Sequence, residues 1–322
     1  MVKTNQLRRL GKTDLMVSPI GLGVMELSGG GGLIGRMFPV IAAEDKNAII
    51  KAALDGGINF FDTAEMYGAG VSERSLADGL KAAGAADKDV IIETKWQPIL
   101  RTANNIGKTI DDRLRYLGGY TISNYMIHQP LSFSSPEAEM DAMADLVDAG
   151  KIRSVGVSNF NPARMRRAHA ALAKRGLPLV LNQVRYSLIH REIETNGILE
   201  TAKELGVTIV AYTPLGSGLL TGKYHQHPEL LEKKSGIRKS MLVGNVERTR
   251  PLINAMAEIA GRYDATIGQV ALNWLIHFNG DMVVTIPGAT KVYQAQESAA
   301  AMNFTLSAEE LARLSEISGQ LK

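Results

Sequence analysis

Eight short apolar stretches rich in β-branched residues recur along the chain. They are "SPIGLGVM" (18–25), "GINFFDTA" (57–64), "DVIIETKW" (89–96), "TISNYMIHQP" (121–130), "KIRSVGVSNF" (151–160), "LPLVLNQV" (177–184), "GVTIVAYTPL" (206–215) and "DMVVTIPGA" (281–289). Most have the near-continuous apolar character of strands buried on both faces, which belongs to parallel sheets. Helix-period segments lie between them, most clearly at 44–55, 72–83, 103–116, 136–149, 162–174, 195–205 and 266–278. Several open on Ser, Thr, Asn or Pro, and Gly56, Gly150, Gly176 and Gly206 stand where helices close. Eight strand–helix repeats predict an α/β protein of the (β/α)8 TIM-barrel class. An open doubly wound sheet is the competitor. The count of eight, without a break in composition, favours a single barrel domain over 1–322, a length such barrels commonly reach.

Two pieces lie outside the repeat. Residues 5–18 read as a small N-terminal hairpin around "LGKTDL". Residues 307–318, "SAEELARLSEIS", read as a C-terminal helix with a capping box at Ser307 and Glu310. The segment 213–250, after the seventh strand, reads as a long, basic, irregular loop; loops of that length in a compact domain usually serve function.

Composition narrows the function classes. The net charge is +3 and is scattered, which gives no footprint for nucleic acid. Cysteine is absent, so disulfides, thiolate nucleophiles and zinc–cysteine sites are excluded, and a reducing, cytoplasmic location is the expectation. "MVKTNQLRRLGKTDL" has no apolar core of a signal peptide, and no run approaches the ~18 apolar residues of a membrane span.

In (β/α)8 barrels the C-terminal strand ends carry the chemistry. Here those positions hold Asp62, Lys95, His128, Ser158, Asn159, Gln183 and Tyr212. A single buried Asp, Lys or His is more often a satisfied structural group. An acid, a lysine and an imidazole converging on one face argue for a site. "INFFDTAEMYG" adds Tyr67, five residues beyond Asp62. A phenol has an ordinary pKa of ~10, and a nearby ammonium lowers it. Lys95 is placed to supply that charge, Asp62 to keep Lys95 ionised, and His128 to donate to a carbonyl oxygen. This set can protonate an oxyanion as it forms. Without a cysteine or a recognisable Ser–His motif, a hydride from a cofactor is the economical nucleophile.

The sequence resembles the aldo-keto reductases over essentially its whole length. The resemblance rests on "NFFDTAEMYG", "ETKW", "IHQP", "GKIRSVGVSNF", "NQVRYSL", "AYTPLGSGLLTGKY" and "IPGATK…QAQES". It implies a catalytic set of Asp62, Tyr67, Lys95 and His128. It also implies NADPH bound extended, without a Rossmann domain, with NADH weaker. Ser158, Asn159 and Gln183 would grip the carboxamide, and Tyr212 would stack on the nicotinamide. Leu215, Ser217, Gly218 and Lys223 would line the pyrophosphate. Gly288, Thr290, Lys291, Gln294, Glu297 and Ser298 would hold the adenosine end. Two of these depart from the commonest pattern of the family: Gln294 replaces an arginine and Ser298 an asparagine. Lys291 would then carry the 2′-phosphate contact, as a point charge rather than a planar fork.

Other signals are weaker. "GGGLIG" (30–35) matches G-x-G-x-x-G, but it leads into "RMFPV" rather than a helix, so a flexible loop at the substrate mouth is expected. "GSGLLTGKY" lacks P-loop spacing. His225 and His227 have no third ligand in sequence, and His169 reads as surface. Arg191 reads as a structural partner for a carboxylate. Met25, the 28–39 loop, Met66, Trp96, Phe160 and the 216–240 loop are the expected walls of a mainly apolar pocket for a small carbonyl substrate. Arg36 and Arg238 are placed to greet an anionic substrate, although the surface is the commoner fate of such arginines, and Arg238 is also within the reach expected for a cofactor phosphate. The rival reading is a cofactor-binding regulatory subunit on the same barrel, as in the ion-channel β-subunits, which resemble this chain in having glutamine at the position of Gln294. The fold cannot separate the two readings; the intact catalytic set favours the enzyme.

Overall fold

The computed structural model describes residues 7–36, 38–232 and 236–321. Strands β1 (Arg8–Arg9) and β2 (Met16–Val17) form the N-terminal antiparallel hairpin. Leu10, Leu15 and Val17 pack against Phe60, Ile91, Met126, Val180, Val210 and Val284, sealing the end of the barrel where the strands begin. The hairpin turn approaches the strands closely. A Cβ on Gly11, at φ +50°, would lie 2.5 Å from the Val180 carbonyl oxygen, so only glycine fits without strain.

Strands β3 (Leu22–Gly23), β4 (Phe60–Asp62), β5 (Ile91–Trp96), β6 (Asn124–Ile127), β7 (Val155–Ser158), β8 (Leu179–Arg185), β9 (Thr208–Tyr212) and β10 (Val283–Thr285) follow in parallel, each beside its chain neighbour. Parallel bridges Ile20–Thr285 and Gly23–Gly288 join the first strand to the last. Gly21 N donates to Thr285 O at 2.7 Å, and Thr285 N to Pro19 O at 3.0 Å. The sheet therefore closes into the expected (β/α)8 barrel. Both faces of its strands are covered, which explains the continuous apolar runs: all six residues of β5 are buried, Glu93 and Lys95 included.

The outer layer holds α1 (Gly32–Gly35), α2 (Ala43–Asp55), α3 (Val71–Ala82), α4 (Ile106–Tyr116), α5 (Pro136–Asp148), α6 (Pro162–Lys174) and α7 (Ile198–Leu205). Then come α8 (Lys223–Gln226), α9 (Glu229–Glu232), α10 (Gly236–Arg262), α11 (Ile267–His277), α12 (Val292–Ala300) and α13 (Ala308–Gly319). Local chemistry starts several of them. Ser135 and Asn161 cap α5 and α6 ahead of a proline at the first helical position. Capping boxes open α11 (Thr266, Gln269) and α13 (Ser307, Glu310). Among the described residues no helix is long and apolar enough to cross a membrane.

Two expectations are corrected. The segment 213–250 is not an irregular loop throughout: it holds α8 and α9, and α10 begins inside it. Gly236, Gly244 and Pro251 hide the 27-residue α10 from a reading by periodicity. The glycine run after β3, expected as a flexible loop, forms a single helical turn, α1.

Candidate active site

β4 and β5 are adjacent and parallel with Asp62 opposite Glu93, so Lys95, two residues on and on the same face, reaches Asp62 at the mouth of the barrel. Lys95 Nζ pairs with Asp62 Oδ2, donates to Thr63 O at 2.9 Å and lies 3.3 Å from the Tyr67 hydroxyl. It is fully buried, so the three oxygens are its whole solvation shell among the described residues. Tyr67 comes from the loop after β4. Thr63 Oγ1 donates to Ser72 Oγ at 2.9 Å, and Ser72 Oγ to Val24 O at 2.8 Å, tying the loop to β3. Glu65 ties it to β5: it accepts from Gln97 N at 2.9 Å and from Arg101 at 2.8 Å. His128 stands just past β6, its backbone N–H bonded to Trp96 O at 3.1 Å. Its ring meets Tyr67 edge to face, with centroids 5.6 Å apart.

The charge states follow from burial. Desolvation pushes the Tyr67 phenol up to about 12; Lys95 pulls it down, as its ammonium should, but does not overcome burial. Burial, with the Lys95 charge, lowers His128 to about 3, so the imidazole is neutral at physiological pH. Burial would lower Lys95 as well, but the Asp62 carboxylate beside it raises it, and it stays an ammonium. A protonated phenol, a neutral imidazole and a fixed ammonium thus meet at one point.

Asp62, Tyr67 and His128 open on a cavity of about 1330 Å³. This exceeds the roughly 300–1000 Å³ of ordinary small-molecule pockets, leaving room for two ligands together. Lys95 stands behind Tyr67 and does not reach the wall.

Comparison with known proteins places the chain in a family. The model of the Aldo/keto reductase family matches residues 19–318. The chain belongs to the aldo/keto reductase family. It is 38% identical over 296 residues to an uncharacterized oxidoreductase of Mycobacterium tuberculosis, covering 91% of this chain and 87% of that one. It is 30% identical over 329 residues to the L-glyceraldehyde 3-phosphate reductase of Escherichia coli, covering 96% and 91%. A crystal structure of a thermostable aldo-keto reductase in complex with the inhibitor epalrestat superposes with a TM-score of 0.75 at 30% identity, covering 97% of this chain and 99% of that one. Membership makes the protein an oxidoreductase of small carbonyl compounds, in a family that generally uses nicotinamide cofactors.

Beyond Tyr67 the cavity of this aldo/keto reductase is lined by the candidate cofactor residues of β7, β8 and β9: Ser158, Asn159, Gln183 and Tyr212. They are already ordered among themselves. Ser158 Oγ donates to Gln183 O at 2.9 Å, Asn159 Nδ2 to Ser158 Oγ at 3.0 Å, and the Tyr212 hydroxyl to Asn159 Oδ1 at 3.0 Å. Asn159, Thr213 and Ser217 all have left-handed backbone, at φ 58°, 55° and 57°. Such residues cost roughly 1–3 kcal/mol each and gather at ligand clamps. Leu215, Ser217, Gly218 and Lys223 follow along the wall, and Gly288, Thr290, Gln294, Glu297 and Ser298 close its far end.

Lys291 is exposed beside that end, outside the wall. Gln294 does more than replace an arginine. Its Oε1 accepts from Thr290 N at 2.8 Å and Lys291 N at 3.2 Å, capping α12. The side chain therefore shapes the turn as well as facing the cavity.

Met25 and Met66 line the cavity as expected, and Phe38 and Pro39 of the glycine-rich loop join them. Trp96 and Phe160 do not. Both are fully buried away from the wall. The Trp96 indole N–H points to Asn105 Oδ1 at 3.3 Å, and the Phe160 ring lies under the Arg164 guanidinium. Arg36 is exposed, and the Arg238 side chain lies outside the described residues. His227 meets Glu229 at 3.3 Å and His225 meets Thr249 at 2.9 Å, and the described residues hold no metal-binding cluster. Arg191 pairs with Glu194 at 2.6 Å, the structural role expected of it.

Reading by sequence missed Glu93 and Glu65. The first is fully buried and accepts from Gln183 Nε2 at 2.7 Å. Its signal was present: an acid inside an apolar strand run, two residues before Lys95, shares a face with that lysine.

Proposed function

We propose that the protein is an NADPH-dependent carbonyl reductase in which Tyr67 is the proton donor. The observation that carries the reading is the Tyr67 hydroxyl held 3.3 Å from the Lys95 ammonium, beside neutral His128, on the wall of a cavity large enough for cofactor and substrate. The donor set fits a nicotinamide. Ser158, Asn159 and Gln183 offer amide and hydroxyl groups to a carboxamide, and Tyr212 offers a half-buried ring whose tilt is pinned through Asn159. When bound, the cofactor supplies a hydride to the carbonyl carbon.

The protein's own part is then electrostatic and protic. His128 and Tyr67 orient the carbonyl oxygen, and Tyr67 gives its proton as negative charge builds there. The phenol is fully protonated at rest, so the donor is always loaded. Lys95 stabilises the phenolate that remains, and Asp62 holds Lys95 charged and aimed. Met25, Met66, Phe38 and Pro39 give the substrate end an apolar wall suited to medium-sized aldehydes. Thr290 and exposed Lys291 are the residues we assign to the 2′-phosphate.

Tyr67→Phe tests the reading. It should lose about 10²–10⁴-fold in aldehyde turnover with NADPH while cofactor affinity stays nearly intact. Near-wild-type turnover would remove Tyr67 from the role. A wild-type protein that binds NADPH yet turns over no aldehyde would instead favour a cofactor-binding regulatory subunit.

A further inference from the structure

We infer that Glu93 is a positioning residue: it locks the Gln183 side-chain amide with its N–H groups turned inward and its oxygen turned to the cavity, and so decides which end of a ligand amide the site accepts. The inference rests on the proposed placement of a nicotinamide carboxamide at Ser158, Asn159 and Gln183.

The argument begins with hydrogen-bond valence. Gln183 Nε2 lies 2.9 Å from Asp62 Oδ2 and 2.7 Å from Glu93 Oε1. A primary amide has two N–H donors, and both are spent on these carboxyl oxygens. Turning the amide over would set its oxygen against the Asp62 carboxylate and against Glu93 Oε1, the oxygen of that acid without the proton, and leave buried groups unpaired, a costly arrangement. With Asp62 alone the amide would be held by one donor. Glu93 supplies the second anchor, from a strand whose side chains alternate, so that Glu93 sits on the same inward face as Lys95 and one layer deeper.

Glu93 is built for a neutral, structural task. It is fully buried, and its Oε2 has no hydrogen-bond partner while the group is a carboxylate. Lys95 is committed to Asp62, Thr63 O and Tyr67. A proton on Oε2 turns that oxygen into a donor towards the neighbouring Asp62 carboxylate. Burial, then the charge of Asp62, pushes Glu93 well above the ordinary carboxylate range, consistent with that proton. Neutral Glu93 leaves Asp62 and Lys95 as a balanced ion pair.

The consequence for the ligand is directional. Gln183 has only an acceptor to offer, so it selects the NH₂ end of a carboxamide. The carboxamide oxygen is left for the second N–H of Asn159, whose first is bonded to Ser158 Oγ at 3.0 Å.

The experiment compares two ligands: NADP⁺ and its 3-acetylpyridine analogue, in which a methyl group replaces the carboxamide NH₂. Dissociation constants are measured by fluorescence titration for wild type, Glu93→Leu and Glu93→Gln. One uncharged hydrogen bond separates the ligands, so wild type should bind the analogue roughly two- to tenfold more weakly. Glu93→Leu removes the anchor, and the ratio should fall towards one. Glu93→Gln can accept from Gln183 and donate to Asp62, and should keep the ratio within about twofold of wild type. A purely structural Glu93 would weaken both ligands alike and leave the ratio unchanged in Glu93→Leu; that result overturns the inference and leaves the proposed cofactor site standing. A wild type that does not discriminate overturns the carboxamide placement itself. Should Glu93→Leu fail to fold, Glu93→Gln decides alone: a folded variant that has lost discrimination overturns the inference, and one that retains it supports it.

Discussion

Replacing Lys95 by methionine keeps an unbranched chain in the barrel and removes only the ammonium. Asp62 then keeps the Gln183 N–H at 2.9 Å but loses its cation, in a site where Asp62 is 3% exposed. Breaking a buried pair from one side costs about 3–5 kcal/mol. The remaining hydrogen bond places this case near the lower figure, which corresponds to a melting temperature lower by roughly 4–5 °C for a chain of this size. In the wild type Lys95 titrates above its ordinary value, because Asp62 and its neighbours outweigh burial. The pair therefore stabilises the fold below ~10.5 and is lost only as pH rises through the higher folded value. The variant should behave in the opposite sense. Its unpaired Asp62 gains from taking up a proton, so the deficit should be larger at pH 8 than at pH 5. Asp62→Asn added to Lys95→Met removes that charge and should restore part of the stability, with a deficit flat in pH. Turnover should fall by roughly 10²–10⁴-fold in both proteins, because neither has an ammonium beside the Tyr67 phenol. Thermal melts at the two pH values and single-turnover aldehyde reduction give the three-way comparison. If the double variant regained reduction along with stability, Lys95 would be a structural residue and the proton-donor site would have to be abandoned.

His128 is lowered from 6.5 to about 3, so unfolding below pH 6.5 takes up a proton and the wild type loses stability as the pH falls through that window. At pH 5 this amounts to about 2 kcal/mol, and His128→Gln should flatten the acid limb of stability by that order in urea titrations. Turnover of the wild type should show no inflection near 6.5, since the neutral ring persists far below it. An inflection there that His128→Gln abolishes would contradict the burial argument. For the cofactor end, Lys291→Ala should reduce the preference for NADPH over NADH by roughly tenfold, the worth of one charged hydrogen bond at the low end of its range. Equal preference in variant and wild type, by fluorescence titration, would move the 2′-phosphate away from Lys291.

The order of elements was legible because strand and helix periodicities are local. Buried strands such as "VIIETKW" announce themselves by continuous apolar character, and helices such as α13 by their capping residues. The types and places of Asp62, Lys95 and His128 were legible for a related reason: where an apolar barrel strand ends on a polar residue, that residue stands at the mouth, where the chemistry is done. Tertiary structure decided the rest. A strand covered on both faces does not say which face is the inside of the barrel, so Trp96 and Phe160 read as pocket walls while the fold turns them outward. Helix α10 was hidden by Gly236, Gly244 and Pro251, whose local preferences packing overrides. Charge states also belong to the fold. The phenol of Tyr67 is pushed up rather than down because burial outweighs Lys95, and Glu93 acquires its meaning only where β4, β5 and β8 bring Asp62 and Glu93 within hydrogen-bonding distance of Gln183. Periodicity is a property of neighbours in sequence; desolvation and hydrogen-bond valence are properties of neighbours in space, and the chemistry of this site is made of the second kind.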